Sequence, residues 1–215
     1  MKVTIIYDNE AWSEGLTADW GFACLVEAHG RKILFDTGAS GPILMGNMKK
    51  LGIDPESIED VIISHSHWDH TGGLRDFLSA NSDVTLFVPS SFSVRDDAAT
   101  TVVSVKGPVT LSEGIDSTGE LRGMEQSLVV ETGRGTVIIA GCSHPGVEEI
   151  LTASLKFGSP YALIGGLHGF DKYDVVKDLG IICATHCTEH ILEIQSRYPH
   201  TFVRGGAGRV IEIND

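Results

Sequence analysis

Ser64-His65-Ser66-His67-Trp68-Asp69-His70-Thr71-Gly72-Gly73 is the stretch that decides how this chain is read. Three of the nine histidines fall within six residues, with an aspartate between the second and third, directly after the apolar run Val61-Ile62-Ile63. The pattern predicts a buried strand that delivers a loop of ligands. Imidazole and carboxylate are the donors of hydrolytic zinc, iron and manganese sites, which also keep a position open for water. His65 and His67 stand two apart and point the same way on an extended segment, whereas two histidines that bind from one helix need i, i+4 spacing. The site is therefore expected on a loop and not on a helix.

Upstream of this stretch the chain reads as strands at residues 3–7, 21–28 and 32–35, the last two joined by a tight turn at His29-Gly30. Asp36 follows the third strand in Phe35-Asp36-Thr37-Gly38, where a carboxylate can either reach back to orient a histidine ligand or close an Asx turn. Residues 42–51 predict a helix with Pro42 near its start and Gly52 just past its end. After the histidine stretch a short helix is expected at 74–78, with Gly72 and Gly73 letting backbone approach the metals closely. Further strands are expected at 84–88, 101–105, 109–111 and 128–131, and the polar segment 90–100 is expected as a loop over the site.

No histidine stands between His70 and His144, so a metal held by His65 and His67 must be completed from late in the chain. Three late apolar strands each run into a histidine. Residues 136–140 lead to Gly141-Cys142-Ser143-His144-Pro145-Gly146 before a helix at 147–156, residues 161–164 lead to Gly165-Gly166-Leu167-His168, and residues 181–184 lead to Thr185-His186-Cys187-Thr188. One shared pocket at one sheet edge explains all three. His190, on a helix expected at 189–197, and His200 are read as surface positions. A final strand is expected at 210–213, and Arg204-Gly205-Gly206-Ala207-Gly208 is a weak phosphate-cradle signal because no helix follows it.

With 215 residues, 42% of them hydrophobic, the chain suits one domain spanning 1–215. Sixteen Lys and Arg against 29 Asp and Glu give a net charge of −13 with no basic cluster, which argues against nucleic acid or an anionic membrane surface as partner and leaves a small-molecule substrate. No apolar run approaches the roughly 18 to 20 residues of a membrane span, and the start reads as a strand instead of a signal peptide, so a cytoplasmic location is expected. Cys24, Cys142, Cys183 and Cys187 form no Cys-x-x-Cys pair and are expected as reduced thiols, Cys24 as an inert core residue.

His65-x-His67-x-Asp69-His70 resembles the signature of the metallo-β-lactamase superfamily. With the Asp36 block, Glu125-Gln126-Ser127-Leu128 and the His144, His168 and His186 blocks in the same order, the resemblance extends over nearly the whole chain to the dihydropterin-ribofuranosylaminobenzene-phosphate-synthase-like branch. It implies an αββα four-layer sandwich built from two related halves, where periodicity alone supports only a mixed α/β domain. It also implies two divalent transition-metal ions, zinc first with iron or manganese as alternatives. His65, His67 and His144 would hold one ion and Asp69, His70 and His186 the other, with Asp36 orienting a histidine. Cys142 falls where many members place a bridging aspartate and is either a thiolate ligand or a buried small residue, and Cys187 is read as structural. His168 would bind substrate, donate a proton or ligate metal, and Asp69 could take up a proton.

The activity implied is hydrolysis by a metal-activated hydroxide, acting on a small anionic phosphoester or on an acyl or lactone compound. The alternatives are a metal-assisted transfer joining a pterin diphosphate to an arylamine phosphate, and a non-catalytic metal-binding or sensor protein. Ser66 and Glu189 replace the branch's usual glycines, and Leu167 and Gly169 flank His168 where Phe and Leu are typical. These departures bear on the substrate more than on the metals.

Overall fold

The computed structural model describes residues 1–94 and 101–214. Its first sheet is built from β1 (Lys2–Tyr7), β2 (Ala23–Ala28), β3 (Arg31–Phe35), β4 (Asp60–Ile62), β5 (Thr85–Pro89), β6 (Thr101–Val105) and β13 (Val210–Glu212), in the order β13-β1-β2-β3-β4-β5-β6. The second contains β7 (Val109–Ser112), β8 (Ile115–Ser117), β9 (Leu128–Thr132), β10 (Gly135–Ala140), β11 (Pro160–Gly166) and β12 (Ile181–Thr185), in the order β12-β11-β10-β9-β8-β7. Both halves use one plan. Antiparallel neighbours lead into a parallel run, β3-β4-β5-β6 in the first sheet and β10-β11-β12 in the second.

The sheets face each other because their strands are apolar on both sides, as strands covered on two faces must be. Ile33 and Phe35 of β3 and Val137 and Ile139 of β10 point into the core between the sheets, together with Val3, Phe22, Val130 and Ile164. The intervening Leu34 packs outward with Leu44 and Met48 of α1 (Gly41–Leu51) and with Leu74 and Phe77 of α3 (Leu74–Ala80). On the other side Ile138 and Leu163 pack outward on Val147 and Ile150 of α4 (Val147–Ser154) and on Ile194 of α5 (Ile191–Arg197). This is the four-layer αββα order that the resemblance implied.

Most expected elements stand within a residue or two of their expected bounds. The histidine stretch is loop only as far as His67, for Trp68–Thr71 forms a four-residue helical turn, α2, that carries Asp69 and His70. The helix expected from 189 begins at Ile191, with His190 as its cap. β8 was not foreseen, because Asp116 and Ser117 look like turn residues although both are buried. Gly72 and Gly73 do permit a close approach, but to a different neighbour: a side-chain carbon there would lie 2.1 Å from the Ala39 carbonyl oxygen and 2.3 Å from that of Thr37. The cradle suggested by Gly205 to Gly208 is filled by the chain itself, as Gly205 lies against Thr185 and Gly206 against Trp12. Within the segment expected to cover the site, residues 95–100 lie outside the described residues, and Ser91 is tied through its N–H to Glu120 at 3.1 Å.

Candidate metal centre

Parallel strands end together, and in open α/β sheets ligands gather beyond their carboxyl ends. Phe35 is in register with Ile62, and Ala140, Gly165 and Ala184 are level with one another, so the segments after β3, β4, β10, β11 and β12 emerge at one edge. Each of four chain turns there passes through a left-handed residue other than glycine: Asp36 (φ 56°), Ser143 (61°), His168 (47°) and His186 (51°). Such conformations are costly and collect at functional sites.

Three imidazole nitrogens converge on one point. His65 Nε2 lies 3.0 Å from His67 Nδ1, and His144 Nε2 lies 3.2 Å from each of them. Three ring nitrogens cannot all satisfy one another, since each is either a donor or an acceptor and at least one pair must be alike. One shared cation resolves the conflict. Zinc–nitrogen bonds of about 2.0 to 2.1 Å in tetrahedral geometry separate the nitrogens by about 3.3 Å.

A second group lies beside the first. Asp69 Oδ2 is 3.4 Å from His186 Nε2 and 3.9 Å from His70 Nε2, and His186 Nε2 is buried with no hydrogen-bond partner. Cys142 sits between the groups, with Sγ 3.2 Å from His70 Nε2. Among the described residues it joins three of the five clusters of potential ligands whose donor atoms lie within 4.8 Å of one another, with His65 and His70, with His186 and Cys187, and with His144 and His168. His168 belongs to this neighbourhood as well: its ring is 4.6 Å from that of His144, its Nε2 has no partner, and it lines a cavity of about 270 Å³ together with Phe170 and Lys172. All the residues expected at the site are therefore brought together. The donors present fit divalent transition ions, on the converging nitrogens and the orphaned His186 Nε2.

The hydrogen-bond network fixes which ring nitrogens face inward. Asp36 is fully buried and accepts from the Ser64 N–H, the Ser64 hydroxyl and His70 Nδ1, each at 2.7 Å. The Ser64 hydroxyl spends its one proton on Asp36, so its 2.9 Å contact with His65 Nδ1 must be donated by the imidazole. Both His65 and His70 then present an Nε2 lone pair to the centre, as a metal ligand must. Burial, followed by crowding from His70, His144, His67 and His186, holds His65 well below the usual histidine range. Burial and then His168, His67 and His70 bring His144 down to about 4. His70 goes the other way: burial opposes its charge, but Asp36, Asp69 and Glu125 together outweigh burial and raise it.

Sequence reading singled out the Glu125-Gln126 block but gave it no part in holding these loops. Glu125 is completely buried, and Oε1 accepts the N–H groups of Gly141, Cys142 and Ser143 at 2.9, 3.0 and 3.1 Å while Oε2 accepts that of His144 at 2.9 Å. Gln126 pins the opposite loop, donating to the Ile63 carbonyl at 2.9 Å through its side chain and to that of Ser64 at 2.9 Å through its backbone. The available signal was a charged and an amide residue standing directly before the apolar strand β9. Asn9 and Trp20 carried no such signal.

Residues 19–98 match the family model of the metallo-β-lactamase superfamily. In structure the chain is similar to a metal-dependent hydrolase of the β-lactamase superfamily (TM-score 0.78, 24% identity, all of both chains covered) and to the metallo-β-lactamase-fold protein YhfI of Bacillus subtilis (TM-score 0.69, 16% identity, 99% of each). The fold is the metallo-β-lactamase fold, and the match to that superfamily's model lies in the first half of the chain. The chain is 28% identical, in an alignment 275 positions long, to the 7,8-dihydropterin-6-methyl-4-(beta-D-ribofuranosyl)-aminobenzene-5'-phosphate synthase of Methanocaldococcus jannaschii, covering 96% of this chain and 92% of that one. Among the described residues no helix is long and apolar enough to cross a membrane.

Proposed function

We propose that this chain is a metal-dependent hydrolase with a dinuclear site, acting on a small anionic phosphoester or on an acyl or lactone compound in the cytoplasm. The observation that carries the proposal is the His65, His67 and His144 nitrogen triangle, with sides of 3.0 to 3.2 Å, lying beside the Asp69, His70 and His186 cluster. The first three would hold one ion and the second three the other, and Cys142 would either add a thiolate between them or serve as a buried small residue. Two divalent ions, zinc in the first place, would supply Lewis acidity and a water pKa near 7, at about 7 instead of 15.7.

The chain's own residues would supply orientation and proton handling. Asp36, directly at His70 Nδ1 and through the Ser64 hydroxyl at His65 Nδ1, leaves the two Nε2 atoms facing inward, one for each half of the site. Burial lowers the pKa of His168, so at neutral pH its free Nε2 can accept a proton or a hydrogen bond from substrate at the mouth of the adjoining cavity. Asp69, which lies beside His70 and His186, would take up a proton.

A second reading is supported by the 28% identity to the synthase over nearly the full length: transfer of a pterin methyl group from a diphosphate to an arylamine phosphate. It would use the same ligands. Metal-loaded protein assayed against phosphomonoesters, phosphodiesters, lactones and thioesters, and in parallel for diphosphate release with an arylamine phosphate acceptor, separates the two. Turnover of a hydrolytic substrate without acceptor supports hydrolysis, diphosphate release only with acceptor supports transfer, and metal binding with neither activity supports a sensor.

A further inference from the structure

The loop between β1 and β2 approaches the centre from outside every ligand motif, and two of its side chains reach ligand atoms. Asn9 Oδ1 accepts the Gly21 N–H at 3.1 Å, which identifies that atom as the amide oxygen, and its Nδ2 donates to the His186 carbonyl at 3.0 Å. The same oxygen lies 3.0 Å from His186 Nδ1. Because an amide oxygen can only accept, His186 must carry its proton on Nδ1, and its Nε2 is left with a lone pair. That lone pair is buried, unpartnered and 3.4 Å from the Asp69 carboxylate, an arrangement that calls for a cation between the two. The same carboxylate oxygen, Asp69 Oδ2, accepts from Trp20 Nε1 at 2.8 Å.

The loop is built to stay there. Phe22 N–H donates to the Asp69 carbonyl at 3.2 Å, and a side-chain carbon on Gly21 would meet that carbonyl oxygen at 2.7 Å, so only glycine lets the backbone pass so close. Asp8 receives the backbone N–H of His186 at 3.1 Å and that of Asn9 at 2.7 Å, which locks the two residues in register. The indole of Trp20 packs against the His186 ring at 5.3 Å between centroids while remaining about half exposed (49%).

We infer that Asn9 and Trp20 are positioning residues for the second metal, Asn9 by setting the His186 tautomer and Trp20 by fixing the Asp69 carboxylate. The inference rests on the reading of Asp69, His70 and His186 as a metal-binding group. Outer hydrogen-bond partners of this kind are typically worth about 10 to 100-fold in metal affinity.

The test begins without metal. Long-range proton–nitrogen NMR on chelator-treated full-length protein should show His186 protonated on Nδ1 in the wild type and in Asn9→Asp, which keeps an acceptor, and protonated on Nε2 in Asn9→Leu, which has none. Titration with zinc in a metal buffer should then show one of two equivalents weakened about 10 to 100-fold in Asn9→Leu and in Trp20→Phe, with Asn9→Asp within a few-fold of wild type. A wild-type His186 protonated on Nε2, or an Asn9→Leu variant with unchanged tautomer and unchanged affinity, overturns the inference. Wild type with the Nδ1 tautomer and no affinity for zinc, iron or manganese would instead overturn the metal reading on which it rests. Trp20→Phe retains the ring packing, so its result stands even if Asn9→Leu fails to fold.

Discussion

His70 Nδ1 lies 2.7 Å from Asp36 Oδ2, and the same carboxylate oxygen receives the hydroxyl of Ser64, which in turn accepts from His65. One buried carboxylate thus sets the inward-facing nitrogens of a ligand in each half of the centre. Asp36→Asn preserves the side-chain volume and tolerates the left-handed backbone, but removes the charge and one acceptor oxygen. Metal affinity should fall about 10 to 100-fold in both equivalents while the circular dichroism spectrum stays native. Affinity unchanged in both would return Asp36 to the role of a turn residue.

Glu125 carries the second prediction. Four backbone N–H groups share its carboxylate, and burial raises its pKa even against those donors. Glu125→Ala strands the Gly141–His144 turn and should cost about 3 kcal/mol or more, since each hydrogen bond to a charged group contributes about 1.5 to 3 kcal/mol. The melting temperature should drop by at least about 6 °C for a chain of this size, with Glu125→Gln losing less. A drop under about 2 °C in the alanine variant would show that the turn holds itself.

How much of this was legible in advance differs from residue to residue. Val61-Ile62-Ile63 and the run 136–140 announced themselves as buried strands because both faces of each sheet are covered, and the clustered histidines follow them directly. The αββα order itself came from the resemblance, because apolar runs do not say which sheet a strand joins. β8 was hidden by Asp116, whose burial is compensated by the hydroxyl of Thr110 at 2.6 Å, a partner that no local pattern reveals. Asn9 was equally silent. Its partner His186 is 177 residues away, and a lone asparagine after a strand looks like any turn residue.

The acid side of the stability curve gives a third test, made on metal-free protein. His65, His144, His168 and His186 are all held below the ordinary histidine value, His144 to about 4 from 6.5. Below pH 6.5 the unfolded chain therefore binds more protons at these positions than the folded one, and stability rises with pH across that window. His70, Asp8 and Glu125, whose pKa values the fold raises, work in the opposite sense, but the four lowered imidazoles outnumber them. The urea midpoint of the apoprotein should fall as pH drops from 7 toward 5, and His144→Ala should flatten the slope. A midpoint that rises on acidification contradicts the assignment of these rings as neutral in the fold.

Whether His144 or His168 completes the first metal is the point on which the account turns. His144 Nε2 is 3.2 Å from both His65 Nε2 and His67 Nδ1, whereas His168 reaches the cluster only alongside Cys142 and His144. The direct measurement is bound metal per chain, by elemental analysis after equilibration in a zinc buffer, for wild type, His144→Ala and His168→Ala. The account predicts two equivalents in wild type, about one in His144→Ala as a three-ligand site falls to two, and two in His168→Ala. Full metal content in His144→Ala with a loss in His168→Ala, or no metal in wild type, would contradict it.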